Sequence, residues 1–263
     1  MKNILLLGAT GSIGDSVLSV IKQNSDSLNL YGIAAGKNTE KAAAIIKDFS
    51  PKNIFIEDIA AYDLISSSFP DQNILNSDQE LQDIISDNKV DIVVSAIVGF
   101  AGLKASLMAV NAGKIVLIAN KESIVAAGDI LMPLAKSRGA QIIPIDSEHN
   151  AIFQCLPANK LTTDVSKIII TASGGPFLDI PLSKLNNISP KDALKHPNWE
   201  MGSKISIDSA TLVNKCLELI EARYLFDLNE KLFDLVIHPQ SIIHSIVTYI
   251  DGSSISQMSN PNM

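Results

Sequence analysis

A short apolar run near the N-terminus, Ile4-Leu5-Leu6-Leu7, ends directly on Gly8-Ala9-Thr10-Gly11-Ser12-Ile13-Gly14, and an amphipathic stretch follows. Glycines at such a turn let the backbone reverse sharply and approach a pyrophosphate, which then rests on the positive N-terminus of the next helix. The spacing is GxxGxxG rather than GxGxxG, a variant that still puts one glycine at the turn and another at the helix–strand contact. A glycine motif alone is weak evidence. Here strand, turn, helix and second strand follow in the required order within about 35 residues, as a dinucleotide-binding fingerprint demands.

The rest of the first half repeats this alternation. Asn3–Leu7, Leu28–Ala34, Asn53–Ile56, Ile92–Ala96, Ile115–Ile118 and Gln141–Pro144 read as strands, with helices such as Ser12–Lys22, Lys41–Asp48, Leu103–Ala112 and Ile130–Arg138 between them. Alternating strands and helices of this kind make an α/β fold, a Rossmann-type parallel sheet with helices on both faces. After about residue 146 the character changes to an α+β pattern. Ser147–Cys155 and Asp208–Phe226 read as helices, with Leu212, Val213, Cys216, Leu217 and Ile220 as the buried stripe of the second. Lys167–Thr171, Leu235–Ile237 and Ile243–Tyr249 read as strands, and the tail after Asp251 shows no element. The division implied is a nucleotide-binding domain over residues 1–146 and a catalytic domain over residues 147–263.

The end of the second strand selects the dinucleotide. An NAD enzyme places Asp or Glu there to hold the ribose hydroxyls, whereas this chain has Ala34-Ala35-Gly36-Lys37-Asn38. No carboxylate repels a 2′-phosphate and Lys37 can pair with one, so NADP(H) is expected.

Charge and cysteines narrow the class further. Lys plus Arg number 21 against 28 Asp plus Glu, a net charge of −7, which argues against a nucleic-acid binder. Cys155 and Cys216 are too few for a disulfide framework, in keeping with a reducing compartment. The N-terminal apolar run is too short for a signal peptide or a membrane span. The expectation is a cytoplasmic protein with no membrane partner.

Asp146 and Glu148 follow the last strand of the nucleotide fold, at the carboxyl end where open α/β sheets bind ligands. Two carboxylates at i, i+2 suit a hard divalent cation, yet Asp146 or Ser147 equally suits a helix cap, and spacing alone leaves both open. On the helix near Asp208, Asn214, Lys215 and Glu218 share one surface. Glu218 suits a third metal ligand, and Ser209, Asn214 and Lys215 suit a phosphate; the plainer alternative for Lys215 and Glu218 is an exposed ion pair, and Glu221 reads as such a pair or as surface. Ala172-Ser173-Gly174-Gly175-Pro176 offers a nest for an anion. His196-Pro197-Asn198-Trp199 puts the only Trp in a loop, as a closing lid would.

Taken together, GATGSIG, AGKN, AIVGFAGL, ANKES, DSEHNAIFQ, SGGPF, HPNWEMG, the Lys204–Phe226 stretch and HPQSIIHS resemble the 1-deoxy-D-xylulose 5-phosphate reductoisomerase family along the whole chain. The resemblance implies NADPH-dependent and metal-dependent conversion of that ketose phosphate to 2-C-methyl-D-erythritol 4-phosphate, in isoprenoid precursor synthesis. It implies Mg²⁺ or Mn²⁺ on Asp146, Glu148 and Glu218, and substrate phosphate on Ser173, Ser209, Asn214 and Lys215. Ser147 and Lys121 would lie near the reacting oxygens, with His196 and Trp199 on a flap over the substrate. The cofactor would rest on Thr10, Gly11, Ser12, Ile13, Gly36, Lys37, Asn38, Asn120, Glu122 and Gly202, and the protein would form a homodimer. The family continues into a C-terminal helical domain that this sequence lacks, so the alternative expectation is an NADP-binding fragment with little or no activity. A thiol-dependent reductase acting through Cys155 is a further rival, disfavoured because Cys155 sits beside Phe153 and Leu156 like a core residue.

Overall fold

The computed structural model describes residues 1–157, 162–195 and 202–260, and the chain divides into two compact units, Met1–Ile143 and Pro144–Met263. In the first, β1 (Lys2–Leu7), α1 (Ser12–Gln23), β2 (Leu28–Ala35), α2 (Thr39–Phe49), β3 (Asn53–Ile56), α3 (Ile59–Ser68) and β4 (Ile74–Leu75) form one half. α4 (Asp78–Ser86), β5 (Ile92–Ser95), α5 (Gly102–Asn111), β6 (Ile115–Ile118), α6 (Lys121–Arg138) and β7 (Gln141–Pro144) form the other. The seven strands lie in the order β4-β3-β2-β1-β5-β6-β7. The chain builds outward from β1 in one direction, then restarts at β5 on its other side, and the pairs on both sides of β1 are parallel. That reversal opens the crevice in which such sheets bind ligands, at the carboxyl ends of β1 and β5. The centre of the sheet is Leu5, Leu6, Leu7, Ile33 and Ile54, all fully buried, which is why these strands read as continuous apolar runs rather than alternating ones.

Two glycines of the first turn are fixed by backbone contact. Gly8 has φ +85°, and a Cβ there would lie 2.5 Å from the Ala96 carbonyl oxygen; at Gly14 it would lie 2.3 Å from that of Ala9. Helix α6 starts at Lys121, well before the expected Ile130, because Asn120 caps it, its Oδ1 accepting from the Ser123 amide at 2.7 Å. Helices α3 and α4 and the short β4 were absent from the sequence expectations.

The second unit contains α7 (Ser147–Cys155), β8 (Val165–Ala172), α8 (Pro190–Ala193), α9 (Ser203–Ala210), α10 (Val213–Phe226), β9 (Phe233–Ile237), β10 (Ile243–Tyr249) and β11 (Ser254–Met258). Its four strands lie in the order β11-β10-β8-β9, with β10 antiparallel to both neighbours and β9 parallel to β8. Ile152, Ile168, Ile170, Ala222, Phe226 and Val247 pack into its core. Strand β11 was not foreseen. An Asp251-Gly252 turn makes it: Gly252 takes φ +84° and the Asp251 carboxylate accepts from the Ser253 amide at 2.8 Å, after which the chain folds back along β10.

The expected helix Asp208–Phe226 is two helices. The break falls at Thr211 and Leu212, and Leu212 sits at φ +60°, a left-handed conformation that costs about 1–3 kcal/mol for a non-glycine residue. The expected apolar stripe is also overturned. Leu212, Val213 and Ile220 are exposed, as is Cys216. The buried face of α10 is Lys215, Glu218, Glu221, Ala222 and Phe226. Periodicity failed because this helix turns its charges inward, where they satisfy one another and the residues of α7.

Candidate active site

The break between α9 and α10 serves a cleft in the second unit. It is lined by Asp146, Glu148, Ser173, Ser209, Asn214, Lys215 and Glu218 among others, and has about 620 Å³ including its open mouth. Ser209 comes from the end of α9, while Asn214 and Lys215 come from the first turn of α10, so two helix ends converge there rather than one continuous face. The loop after β8 closes the wall. Gly174 and Gly175 take φ +89° and +71°, and a Cβ on Gly175 would lie 2.8 Å from the Ser209 carbonyl oxygen. That close approach brings Ser173, which accepts from the Gly175 amide at 3.3 Å, to the same cleft as Ser209.

Three carboxylates meet at one side. One oxygen each of Asp146, Glu148 and Glu218 lies within 4.8 Å of the others. Asp146 also caps α7, accepting from the Glu148 amide at 3.3 Å, so the two readings its spacing left open are compatible. Lys215 bridges two of the three, with Nζ 2.8 Å from Glu148 Oε1 and 2.6 Å from Glu218 Oε2. Asn214 donates to Glu218 Oε1 at 2.5 Å, and Ser147 donates to Glu148 Oε2 at 2.6 Å. Lys215 and Glu218 are 6% and 1% exposed, which rules out the plain surface pair.

Burial, and after it the neighbouring Glu218 charge, push the Glu148 carboxyl up to about 7. Burial acts against the Lys215 ammonium, but Glu148 and Glu218 overcome it and hold the amine well above the ordinary lysine range. Three carboxylates against one ammonium leave negative charge in excess, and all-oxygen donors are the set a hard divalent cation prefers. The residues therefore fit a divalent metal. One consequence is a pH dependence. Glu148 must be ionised to bind a cation, so metal affinity falls as pH drops through about 7. A manganese titration should give a dissociation constant about tenfold weaker at about pH 6 than at about pH 8; a flat profile would mean that Glu148 takes no part.

In the first unit the glycine turn leaves a cradle. Gly11 opens α1 without a side-chain cap, and a Cβ there would meet nothing closer than 3.4 Å. Thr10 and Ile13 are half-buried and Ser12 exposed beside it. Gly36 faces open space. The Lys37 side chain is 85% exposed, 3.9 Å from Asp58 Oδ2. Asn38 caps α2, accepting from the Lys41 amide at 3.1 Å. The turn is open, as a dinucleotide needs, but the Asp58 carboxylate beside Lys37 is one the sequence expectation of a carboxylate-free turn did not foresee. The Asn120 side chain is 2% exposed and engaged with the carbonyls of Ile97 and Gly99, so it shapes the 97–99 loop. Lys121, buried, and Glu122 open α6. Gly202, in the second unit, is exposed at the start of α9. His196 and Trp199 lie outside the described residues.

A family model described as 1-deoxy-D-xylulose 5-phosphate reductoisomerase matches residues 4–128, and one described as its C-terminal domain matches residues 142–226. The chain belongs to the 1-deoxy-D-xylulose 5-phosphate reductoisomerase family. A reductoisomerase of that name from Acinetobacter baylyi is 48% identical, the match covering all of this chain and 69% of the relative. Among solved structures, a reductoisomerase in complex with NADPH, fosmidomycin and magnesium superposes with a TM-score of 0.95 at 46% identity, over 100% of this chain and 67% of that one. The Zymomonas mobilis reductoisomerase in complex with NADPH gives 0.90 at 40% identity, over 99% and 68%. The chain thus spans about two thirds of the length of these family members.

Sequence reasoning passed over His149 beside this cleft and read Glu221 as an exposed pair or surface, which its burial overturns. His149 is fully buried and Glu221 is 1% exposed, both beneath the carboxylate cluster. A signal was available: Lys215, Glu218 and Glu221 recur every three residues, as do Asp146 and His149, so each set shares one helix face. Burial works against a charge on His149, but Glu221 and then the Asp146 hydrogen bond raise its pKa to about 9. The stability it contributes is fully present below its ordinary 6.5 and is lost as pH rises through about 9.

Proposed function

We infer that this chain catalyses the NADPH-dependent and divalent-metal-dependent rearrangement and reduction of 1-deoxy-D-xylulose 5-phosphate to 2-C-methyl-D-erythritol 4-phosphate, a step of non-mevalonate isoprenoid precursor synthesis. The observation that carries this reading is the meeting of Asp146, Glu148 and Glu218 beside Lys215 in one cleft. The three carboxylates, Asp146, Glu148 and Glu218, would hold Mg²⁺ or Mn²⁺. When bound, the cation acts as a Lewis acid that polarises the substrate's ketone and neighbouring hydroxyl oxygens. Ser173, Ser209, Asn214 and Lys215 hold the phosphate. Their hydroxyl, amide and ammonium donors match its oxygens, and the energy of that remote contact orients the reacting carbons. We read Ser147 and Lys121 as contacts for the reacting oxygens, and His196 and Trp199 as substrate contacts.

Thr10, Gly11, Ser12, Ile13, Gly36, Lys37, Asn38, Asn120, Glu122 and Gly202 bind the cofactor, and Lys37 selects NADPH by pairing with its 2′-phosphate. Lys37→Asp should lower the ratio of kcat/KM for NADPH over NADH by about tenfold or more. Equal use of both cofactors by the wild type would contradict the role given to Lys37.

A cytoplasmic location accords with two unpaired cysteines. Among the described residues no helix is long and apolar enough to cross a membrane. A homodimer accords with the apolar Ile255 and Met258 exposed on the edge strand β11. A cofactor-binding fragment without activity is the weaker reading, because Asp146, Glu148, Glu218, Ser173, Ser209, Asn214 and Lys215 line one cleft. A thiol mechanism is disfavoured as well, since Cys155 is buried and burial raises its pKa. The test is oxidation of NADPH on addition of the ketose phosphate, which should require added Mg²⁺ or Mn²⁺ and stop with EDTA. Metal-independent turnover would overturn the reading.

A further inference from the structure

The carboxyl ends of two neighbouring strands meet beside the proposed cofactor turn. Strands β2 and β3 are parallel, with Ala35 opposite Ile56, and the Glu57 amide donates to the Ala35 carbonyl oxygen at 2.9 Å. Lys37 and Asp58 each lie two residues beyond that last pair, and Lys37 Nζ is 3.9 Å from Asp58 Oδ2. The two side chains are held unequally. Asp58 caps α3, its Oδ1 accepting from the Ala61 amide at 3.0 Å, and its side chain is 29% exposed against 85% for Lys37. The cap therefore fixes the carboxylate, while the ammonium stands in solvent at the end of a flexible stem. An ion pair this long and this exposed contributes little of its own.

Resting on the cofactor reading above, we propose that Asp58 is a specificity-determining residue: its charge opposes the 2′-phosphate that Lys37 attracts, and so holds the preference for NADPH over NADH below what Lys37 alone would give. A phosphate oxygen paired with Lys37 at the usual charge-assisted distance stands within about 7 Å of the Asp58 carboxylate. That is inside the Debye length of about 8 Å at physiological salt, so the repulsion is felt. The capping bond at Oδ1 keeps Oδ2 on the side of the lysine. NADH carries only a hydroxyl at this position, which a carboxylate does not repel. In NAD enzymes the discriminating carboxylate stands at the end of the second strand. Here a lysine takes that place and the carboxylate stands one strand over, where it tempers the preference without reversing it.

The experiment is a calorimetric titration of the full chain with NADPH and with NADH, which reads affinity without turnover. Asp58→Asn removes the charge and keeps the cap, since Asn caps a helix as well as Asp does. It should tighten NADPH binding about threefold to tenfold at low salt and leave NADH binding unchanged. At about 1 M salt, where the Debye length falls to about 3 Å, the variant and the wild type should bind NADPH alike. Should Asp58→Asn fail to fold, Asp58→Ser, also a capping residue, takes its place with the same gain expected. NADPH affinity that is unchanged or weaker without the carboxylate overturns the proposal, as does an equal gain for NADH or a gain that survives high salt. A Lys37→Met variant that keeps the wild-type preference for NADPH contradicts the cofactor reading itself, a result distinct from the others.

Discussion

Glu218→Gln should abolish metal-supported turnover while NADPH binding stays at the wild-type level. Glu218 is the most deeply buried of the three carboxylates, 1% exposed, and its two oxygens already take a lysine and an asparagine. The substitution is nearly isosteric, so it removes a charge rather than a shape. A metal ion supplies several kcal/mol of transition-state stabilisation, and each 1.36 kcal/mol is tenfold in rate, so the expected fall in kcat is about 10³-fold or more. Steady-state kinetics at saturating Mg²⁺ together with an NADPH titration check both halves. Retained activity would place the metal elsewhere; lost NADPH affinity would show general damage.

Lys215→Met should be the most destabilising change at the site. Lys215 is 6% exposed and holds Glu148 and Glu218 together at 2.8 and 2.6 Å. Removing one partner of a buried pair leaves charge uncompensated and costs about 3–5 kcal/mol. Here the remaining partners are carboxylates that a cation can satisfy. The loss should therefore appear in full without metal and shrink when Mg²⁺ or Mn²⁺ is added, because a ligand that binds only the folded state stabilises it. Urea unfolding with and without metal separates the two. A variant as stable as the wild type without metal would mean that the Lys215 pairs contribute nothing. An equal loss under both conditions would detach Lys215 from the metal cluster.

The nucleotide-binding sheet was legible because its strands are buried on both faces and carry uninterrupted apolar runs, and because Gly8 and Gly14 sit where any side chain would strike a carbonyl. The missed elements have weaker signatures. Strand β4 is two residues long, and β11, Ser254–Met258, is mostly exposed and half polar. At the site, Asp146, Glu148, Glu218, Ser173, Ser209, Asn214 and Lys215 were all singled out from the sequence, and the structure gathers them in one cleft. The same helix defeated the apolar pattern. Hydrophobic periodicity assumes that buried means apolar, and α10 buries Lys215, Glu218 and Glu221 instead. The break at Leu212 was equally hidden, since a leucine gives no warning of a positive φ.

Product analysis tests the central claim most directly. The chain, NADPH, Mg²⁺ and 1-deoxy-D-xylulose 5-phosphate should yield branched 2-C-methyl-D-erythritol 4-phosphate, with one NADPH oxidised per product, by ¹³C NMR of labelled substrate. That outcome requires the carboxylate cluster to support the skeletal rearrangement and the nucleotide site to supply the hydride. An unbranched polyol phosphate, from simple reduction of the ketone, would show the cofactor site at work without the metal chemistry and would contradict the account.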